Sequence, residues 1–249
     1  MSIISKIDCS QYNCALKELV KTVRDCKISD SLQPKMATLT DDVVQISNPK
    51  PIGRNVGQIY EKVIDNATGK TIKKPIEVDI EIEERKSWDQ TVYHFKHNDR
   101  EVGYVILEEH LNIPKEEKIF LLTSDIPQFG IVGDRIIVKH LMNLNESRYA
   151  GIGELADRIS VQHCNKLGIK PVIISEAAYN SHAAHYKRGK RYLYSDENNN
   201  PNEIVRKIIE ETPEGEKCNT GYLGMLIAYM PEELVAKIQK FLQTNPILK

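Results

Sequence analysis

Between residues 76 and 83 apolar and acidic side chains alternate without a break: Ile76, Val78, Ile80 and Ile82 against Glu77, Asp79, Glu81 and Glu83. A period of two is the signature of a β-strand with a core on one face and water on the other. A chain that carries such a segment has to build a sheet, and a half-solvated sheet favours antiparallel pairing. The neighbouring sequence supplies the partners. Gln58 to Ile64 reads as a strand, joined to the alternating one by the polar turn Asn66-Ala67-Thr68-Gly69. Thr91 to Lys96 and Glu101 to Glu108 flank His97-Asn98-Asp99-Arg100 as a second hairpin with a tight turn. The acidic row itself reads as a solvated sheet face.

Further along, the period changes. Arg135 to Leu144 is a β-branched apolar run that suits a central strand. Gly151-Ile152-Gly153 then opens a helix whose apolar face is Ile152, Leu155, Ala156, Ile159, His163 and Leu167, with Gly168 placed to end it. Val172 to Ala177 is a strand and Ser181 to Lys187 a short helix. Asn198 to Pro213 mixes polar loop with an amphipathic turn or two, Tyr222 to Tyr229 is a last strand, and Pro231-Glu232-Glu233 starts a last helix. Upstream, Gln11 to Cys26 has helical spacing, Ser29 to Arg54 reads as a connecting stretch, and Lys118 to Thr123 is a short apolar run. The order implies an α/β (α+β) chain: a mixed, mostly antiparallel central sheet flanked by helices, with a β-α-β unit late. Residues 1–55 are expected to be a helical extension packed on a domain of residues 56–249.

Charge and cysteine content narrow the function classes. The 34 basic and 35 acidic residues are interspersed and sum to −1, so no global field recruits nucleic acid or an anionic membrane. Cys9, Cys14, Cys26, Cys164 and Cys218 are odd in number and form no C-x-x-C pair, which argues for a reducing compartment and against a disulfide framework. No signal peptide or membrane span is visible, and the cytoplasm is the expected location. His182-x-x-His185 lacks further ligands at zinc spacing, so no metal is expected.

The chemistry concentrates at the loop Arg148-Tyr149-Ala150-Gly151-Ile152-Gly153. Glycines at a helix start let a ligand lie against the backbone. The first N–H groups of the helix have no intrahelical partner, and its dipole favours negative charge there. Pyrophosphate is the natural guest, because several consecutive N–H groups can each take an oxygen. The loop is neither G-x-G-x-x-G nor a Walker-type loop. Lys187-Arg188-Gly189-Lys190-Arg191-Tyr192 is the one concentrated basic patch, fit to meet a phosphate or an acidic acceptor.

Arg148-x-x-Gly151-x-Gly153 between a strand and an amphipathic helix resembles the pyrophosphate loop of the GNAT acyltransferases. Asn180, Tyr186 and Gly189 take the places of that family's next Asn, Tyr and Gly, each gap being one residue short of the commonest spacing. Asn143 stands where an apolar residue is usual there, and Asn145 where proline is usual. The resemblance covers Arg135 to Tyr192 and implies a GNAT-like fold. It further implies a transferase that moves an acetyl group from acetyl-CoA, as co-substrate, to an amine by direct attack. The residues implied to hold acetyl-CoA are Leu141, Met142, Asn143, Arg148, Tyr149, Ala150, Gly151, Ile152, Gly153, Glu154, Asn180 and Tyr186. Backbone N–H groups at Leu141 to Asn143 would polarise the thioester. Tyr186 would protonate the leaving thiolate, with Tyr179 or Tyr192 as substitutes, and His140, Glu108 or Glu109 would take the amine proton. The acceptor amine is not specified, a homodimer is a compatible assembly, and a non-catalytic CoA-binding or interaction protein with the same fold is the alternative.

Overall fold

The computed structural model describes residues 50–113, 133–194 and 197–248. The helix expected at Gln11 to Cys26 and the apolar run Lys118 to Thr123 lie outside the described residues.

Among the described residues nine strands form one sheet in the order β6-β1-β2-β3-β4-β5-β7-β9-β8. They are β1 Lys50–Ile64, β2 Thr71–Arg85, β3 Gln90–His97, β4 Arg100–His110, β5 Arg135–Asn143, β6 Tyr149–Ala150, β7 Ile173–Ala178, β8 Arg191–Tyr192 and β9 Met225–Tyr229. Every pairing is antiparallel except β5 with β7. Among the described residues four α-helices accompany the sheet: α1 Ile152–Leu167, α2 His182–Lys187, α3 Pro201–Glu211 and α4 Glu232–Thr244. The mixed, mostly antiparallel sheet flanked by helices is therefore the architecture.

Turn chemistry explains the hairpins. Asn98 and Asp99 have φ of 50° and 59°, the paired left-handed conformation of the two-residue turn that matches strand twist. In the β1–β2 turn Asp65 accepts from the Thr68 hydroxyl at 2.7 Å, and the Gly69 N–H reaches the Asp65 carbonyl at 2.7 Å. Along β2, Val78 and Ile80 are buried with Ile59, Tyr93, Phe95, Val105 and Leu107 in the main core. The acidic row on the other face is laced across to β3 and to β2 itself: Glu81 meets Lys96 at 2.6 Å, and Glu83 meets His94 at 3.2 Å and Arg85 at 2.5 Å.

Strand β1 starts at Lys50, inside the stretch expected to be a connector running to Arg54. Pro51 and Gly53 are accommodated because the register of β1 shifts between them, and it shifts again between Val56 and Ile59. Bulges of this kind break the alternation that marks a strand in sequence. Two more elements differ in extent. The expected amphipathic turn or two is the 11-residue α3, started by the Asn200 side chain accepting from the Asn202 N–H at 3.0 Å, with Pro201 in its first turn. Strand β9 begins at Met225 instead of Tyr222, because Gly221–Leu223 is a 3-10 turn closed by Gly224 at φ 68°.

Helix α1 buries Ile152, Leu155, Ala156, Ile159, Val161 and Cys164 in the main core, over β4, β5 and β1. Helix α4 packs on it. Gln162 ties the chain end to α1: its side-chain oxygen accepts from the N–H groups of Ile247 at 3.0 Å and Leu248 at 2.9 Å, and its amide donates to the Leu248 carbonyl at 2.8 Å. A smaller cluster of Ala177, Tyr192, Val205 and Ala228 covers the sheet toward its β9–β8 edge.

Gly103 allows β4 to run tight beneath the start of α1. A Cβ there would come within 2.6 Å of the Met142 carbonyl oxygen and 3.0 Å of the Ile152 side chain. Backbone cannot give way as a flexible side chain does, so Gly103→Ala should lower stability by about 1–3 kcal/mol. Urea unfolding checks this, through a fall in midpoint at unchanged slope.

Candidate functional site

Strands β5 and β7 pair over Ile136–Ile173, Ile137–Ile174 and Val138–Ser175, and then part. Beyond that point β5 stays with β4 as far as Asn143, while β7 stays with β9 as far as Ala178. The result is a fork between two central strands. The register of β5 against β4 slips at the same place, Ile106 facing His140 and Leu107 facing Val138, so Lys139 is the extra residue of a bulge. Lys139 is also held by Glu108 at 3.3 Å.

The loop after β5 is tied down largely through its backbone. Asn143 donates to the Tyr149 carbonyl at 3.0 Å and accepts from the Asn145 N–H at 3.1 Å. Asn145 in turn accepts from the Ser147 hydroxyl at 2.7 Å and the Arg148 N–H at 3.1 Å. The two asparagines that depart from the family pattern thus build the turn themselves. Tyr149 and Ala150, expected as part of the loop, form the short strand β6 against Tyr60 and Glu61 of β1. Tyr149 and Ile152 turn their side chains into the core and leave only backbone toward the loop surface.

Helix α1 begins with Gly151 at its N-cap, φ 93°, and no side chain caps it. Its first main-chain bond runs from the Leu155 N–H to the Gly151 carbonyl at 3.0 Å. The N–H groups of Ile152, Gly153 and Glu154 precede that bond and lie at the positive end of a 16-residue helix. Glu154 is exposed in the same turn. Arg148 is turned the other way: it is 51% exposed at the side chain and bound to Glu61 at 2.7 Å.

A different arginine faces the glycines. The Arg188 guanidinium lies so close to Gly153 that a Cβ there would meet Nη1 at 2.8 Å. Arg188 pairs with Asp157 at 2.9 Å, and Lys190, 1% exposed, pairs with the other oxygen of Asp157 at 2.9 Å and with Ser175 at 3.4 Å. Burial works to raise the Asp157 pKa, but Lys190 and Arg188 overcome it and hold the carboxyl below its ordinary range. Burial lowers the Lys190 pKa, with Asp157 opposing it. His185 accepts from Arg188 at 3.2 Å, and burial, with Lys190 and Arg188 beside it, pushes its imidazole down to about 3. A buried carboxylate and a buried lysine sit with the partly buried Arg188 next to a helix N-terminus. The amphipathic pattern hid Asp157, although a carboxylate on the apolar face of α1 was the available clue.

The other expected residues are distributed as follows. His140 and Met142 are exposed on β5, on the face opposite α1, since their neighbour Leu141 packs on the main core. Asn180 is exposed, its oxygen 3.2 Å from where a Gly221 Cβ would stand. Tyr186 is half-buried beside the smaller cluster, with the Arg191 guanidinium 4.3 Å over its ring. Tyr192 is buried, donates to the His182 carbonyl at 2.6 Å, and has its pKa pushed up by burial.

Glu108 and Glu109 are not brought to the fork. Because β4 runs against β5, they face Ile137 and Ile136 at its paired end. Glu108 accepts from His110 at 2.7 Å and Gln90 at 3.2 Å. Glu109 accepts from Thr91 at 2.9 Å and His163 at 3.0 Å, and the other ring nitrogen of His163 accepts from the buried Tyr93 hydroxyl at 2.8 Å. The hydrogen bond from His163 lowers the Glu109 pKa against the effect of burial. Both carboxylates line a cavity of about 420 Å³ with Trp88, Asp89 and His110. Among the described residues no group of three or more His, Cys, Asp or Glu could hold a metal ion, and no helix is long and apolar enough to cross a membrane.

No protein-family model matches this chain, and no curated protein matches its sequence. Among solved structures it is similar to a protein described as arylalkylamine N-acetyltransferase 7 from the yellow fever mosquito. That match has 12% identity and a TM-score of 0.39, over 75% of this chain and 97% of the other. It is also similar to a GNAT family acetyltransferase from Elizabethkingia anophelis with acetyl-CoA bound, at 14% identity and TM-score 0.30, over 58% and 79%. A third is described as a streptothricin acetyltransferase from Bacillus anthracis in complex with acetyl coenzyme A, at 12% identity and TM-score 0.32, over 77% and 92%.

Two outcomes follow from the buried cluster. Asp157→Asn leaves Lys190 buried without a counter-ion and should destabilise by about 3–5 kcal/mol in equilibrium unfolding. His185 is neutral when folded, whereas an unfolded imidazole titrates near ~6.5. The unfolded chain therefore binds one more proton between about pH 6.5 and the folded pKa of about 3. Stability should fall by about 1.4 kcal/mol per unit as pH drops through that window. The depressed Asp157 carboxyl adds its own loss as pH falls through its folded pKa. His185→Asn should flatten the imidazole contribution in a pH series of urea midpoints.

Proposed function

We propose that this chain is an acetyltransferase of the GNAT type, which binds acetyl-CoA at the fork and passes the acetyl group to an amine. The observation that carries the reading is the parting of β5 and β7 after Val138–Ser175, with the uncapped, glycine-started end of α1 reached from β5 through the tied loop and β6. A central sheet normally keeps its strands paired, and an opening there exposes backbone donors in a slot with low-dielectric walls.

The residues fit the donor. The N–H groups of Ile152, Gly153 and Glu154 take pyrophosphate oxygens, and Arg188 adds a charged donor beside Gly153. An anion there balances the excess cation of the Asp157, Arg188 and Lys190 cluster. Arg148 serves the loop from outside, holding it to β1 through Glu61. The free edge of β5 from Leu141 to Asn143 polarises the thioester carbonyl. His140 takes the amine proton and Tyr186 returns one to the departing thiolate, so that amine and thioester become amide and thiol. The half-buried Tyr186 ring under Arg191 favours the second reading, a CoA-binding protein without turnover, if its hydroxyl fails to reach the sulfur.

Thermal melting and thiol release test this. Acetyl-CoA at about 100 times its Kd should stabilise the protein by about 2.7 kcal/mol. An unmoved midpoint at saturating ligand would exclude both readings. Arg188→Gln still leaves Lys190 paired with Asp157, so it should fold, and it should weaken acetyl-CoA binding about 10- to 100-fold. Binding without thiol release for any amine supports the non-catalytic reading.

A further inference from the structure

The fork opens to two faces. Ser175 and Ala177 on β7 point to the side of α1, where Lys190 and the smaller cluster lie. The intervening residues point the other way. Ile174 is 1% exposed on that face, yet Glu176, two residues further on, is exposed. The change falls where β5 leaves, since Ser175 is the last residue of β7 with a partner on β5. Glu176 is therefore a carboxylate on a central strand that reaches solvent through the fork. No described residue gives it a hydrogen bond or an ion pair. Lys139, on the facing strand, is taken by Glu108 at 3.3 Å.

The same face carries the lips of the fork. Residues directly opposite one another in adjacent strands share a face, so Met225, opposite Ala178, stands on the Glu176 side of β9. Met142 and its cross-strand partner Tyr104 stand on the corresponding side of β5 and β4, as does His140. Met142 is 43% exposed and Met225 46% exposed. Scattered exposed apolar residues need no explanation. Here two methionines flank one opening with an unpaired carboxylate set back between them. Methionine adapts its shape to apolar ligands, and a carboxylate attracts a cation.

We infer that the acceptor is a small primary amine on an apolar or aromatic group, its ammonium held by Glu176 and its body between Met142, Tyr104 and Met225. The inference rests on reading the fork as an acetyl-transfer site. The donor lies on the α1 side and the acceptor enters from the opposite face, so the two meet where β5 and β7 part. Glu176 draws the ammonium in and His140 accepts its proton. The nitrogen then forms the C–N bond as the C–S bond breaks. The thiolate takes a proton from Tyr186, the second proton lost by the nitrogen restores Tyr186, and the proton on His140 passes to solvent. An amino sugar would put hydroxyls against the methionines and leave them unpaired.

Initial rates of thiol release from acetyl-CoA with 2-phenylethylamine, glucosamine and a lysine-containing peptide test this. The aryl amine should exceed each of the others at least about tenfold in kcat/KM, of the order a desolvated polar group imposes. Glu176→Gln should raise the KM for 2-phenylethylamine about 10- to 100-fold. It should change kcat less and leave the acetyl-CoA thermal shift as it is, and Glu176→Asp should recover part of the loss. Preference for glucosamine or the peptide overturns the acceptor inference alone, as does an unchanged KM in Glu176→Gln. Absence of an acetyl-CoA shift, or of thiol release with every amine, overturns it together with the acetyl-transfer reading.

Discussion

Everything at the candidate site depends on a parallel pair of strands that stays together for three residues each and no longer. Parallel pairs in the middle of a sheet are usually covered and continuous. Here each strand is drawn toward its antiparallel neighbour. On β5 the bulge at Lys139 re-aims the strand, Glu108 holds the Lys139 side chain, and Asn143 fastens the far end to Tyr149. On β7 five consecutive residues remain paired to β9. A backbone edge opened between two central strands is costly wherever it is shut off from water, since buried unpaired N–H and C=O groups cost about 1–3 kcal/mol each unless a ligand or water meets them. An opening so placed belongs to function more readily than to stability.

The ionic cluster below the loop follows the same logic. A buried pair of charges is weak evidence for stability, because desolvation offsets most of the Coulomb attraction. Asp157 between Arg188 and Lys190 therefore adds little net stability, yet it fixes where the Arg188 guanidinium sits. Leucine or methionine in those positions could fill the volume, and neither would aim a planar donor at Gly153. The neutral His185 accepts from that guanidinium and contributes no compensating negative charge. The local balance stays positive at the one helix end that is itself positive. That combination is unfavourable for the empty cluster and favourable for an anion.

Periodic segments were the legible part of the sequence. The alternation at Ile76–Glu83, the tight turn at Asn98-Asp99, and the amphipathic helix ending at Gly168 all lie where their patterns place them, because each pattern is set by local sterics and by a single buried face. Strand β1 was legible only from Gln58, since its earlier part passes Pro51 and Gly53 through bulges. The two-residue strand β6 has no pattern of its own and exists only because Tyr149 is buried and β1 is adjacent. At the site, the glycines were legible because their backbone role is local. Arg188 was legible only as one member of a basic patch suited to a phosphate, and Glu176 not at all. The pattern did not say which cation of the patch would stand beside Gly153, and Glu176 looks like any polar residue in a strand; only the long-range pairing of β5, β7 and α1 gives them neighbours. Arg148 shows the converse: its place in the motif was plain, and its side chain nevertheless goes to Glu61.

The two faces of the fork differ in a way that bears on how transfer would proceed. The α1 side is cationic, built from a helix terminus, an ion triad around the buried Asp157 and a loop tied to β1 by backbone bonds. The opposite side carries the Glu176 carboxylate, unpaired among the described residues, an exposed imidazole and flexible methionines. A donor such as acetyl-CoA has many polar atoms to satisfy and is served by fixed dipoles, which need no reorganisation during reaction. An acceptor has one charge and a variable apolar body, and adaptable side chains suit it at less ordering cost. In the proposed reading the polar side sets which donor is used, and the specificity for the acceptor resides in the side chains at the lips. The glycine loop and the paired part of the sheet could then remain unchanged while Met142, Met225 and Glu176 are altered, with the range of amines changing and the donor staying the same.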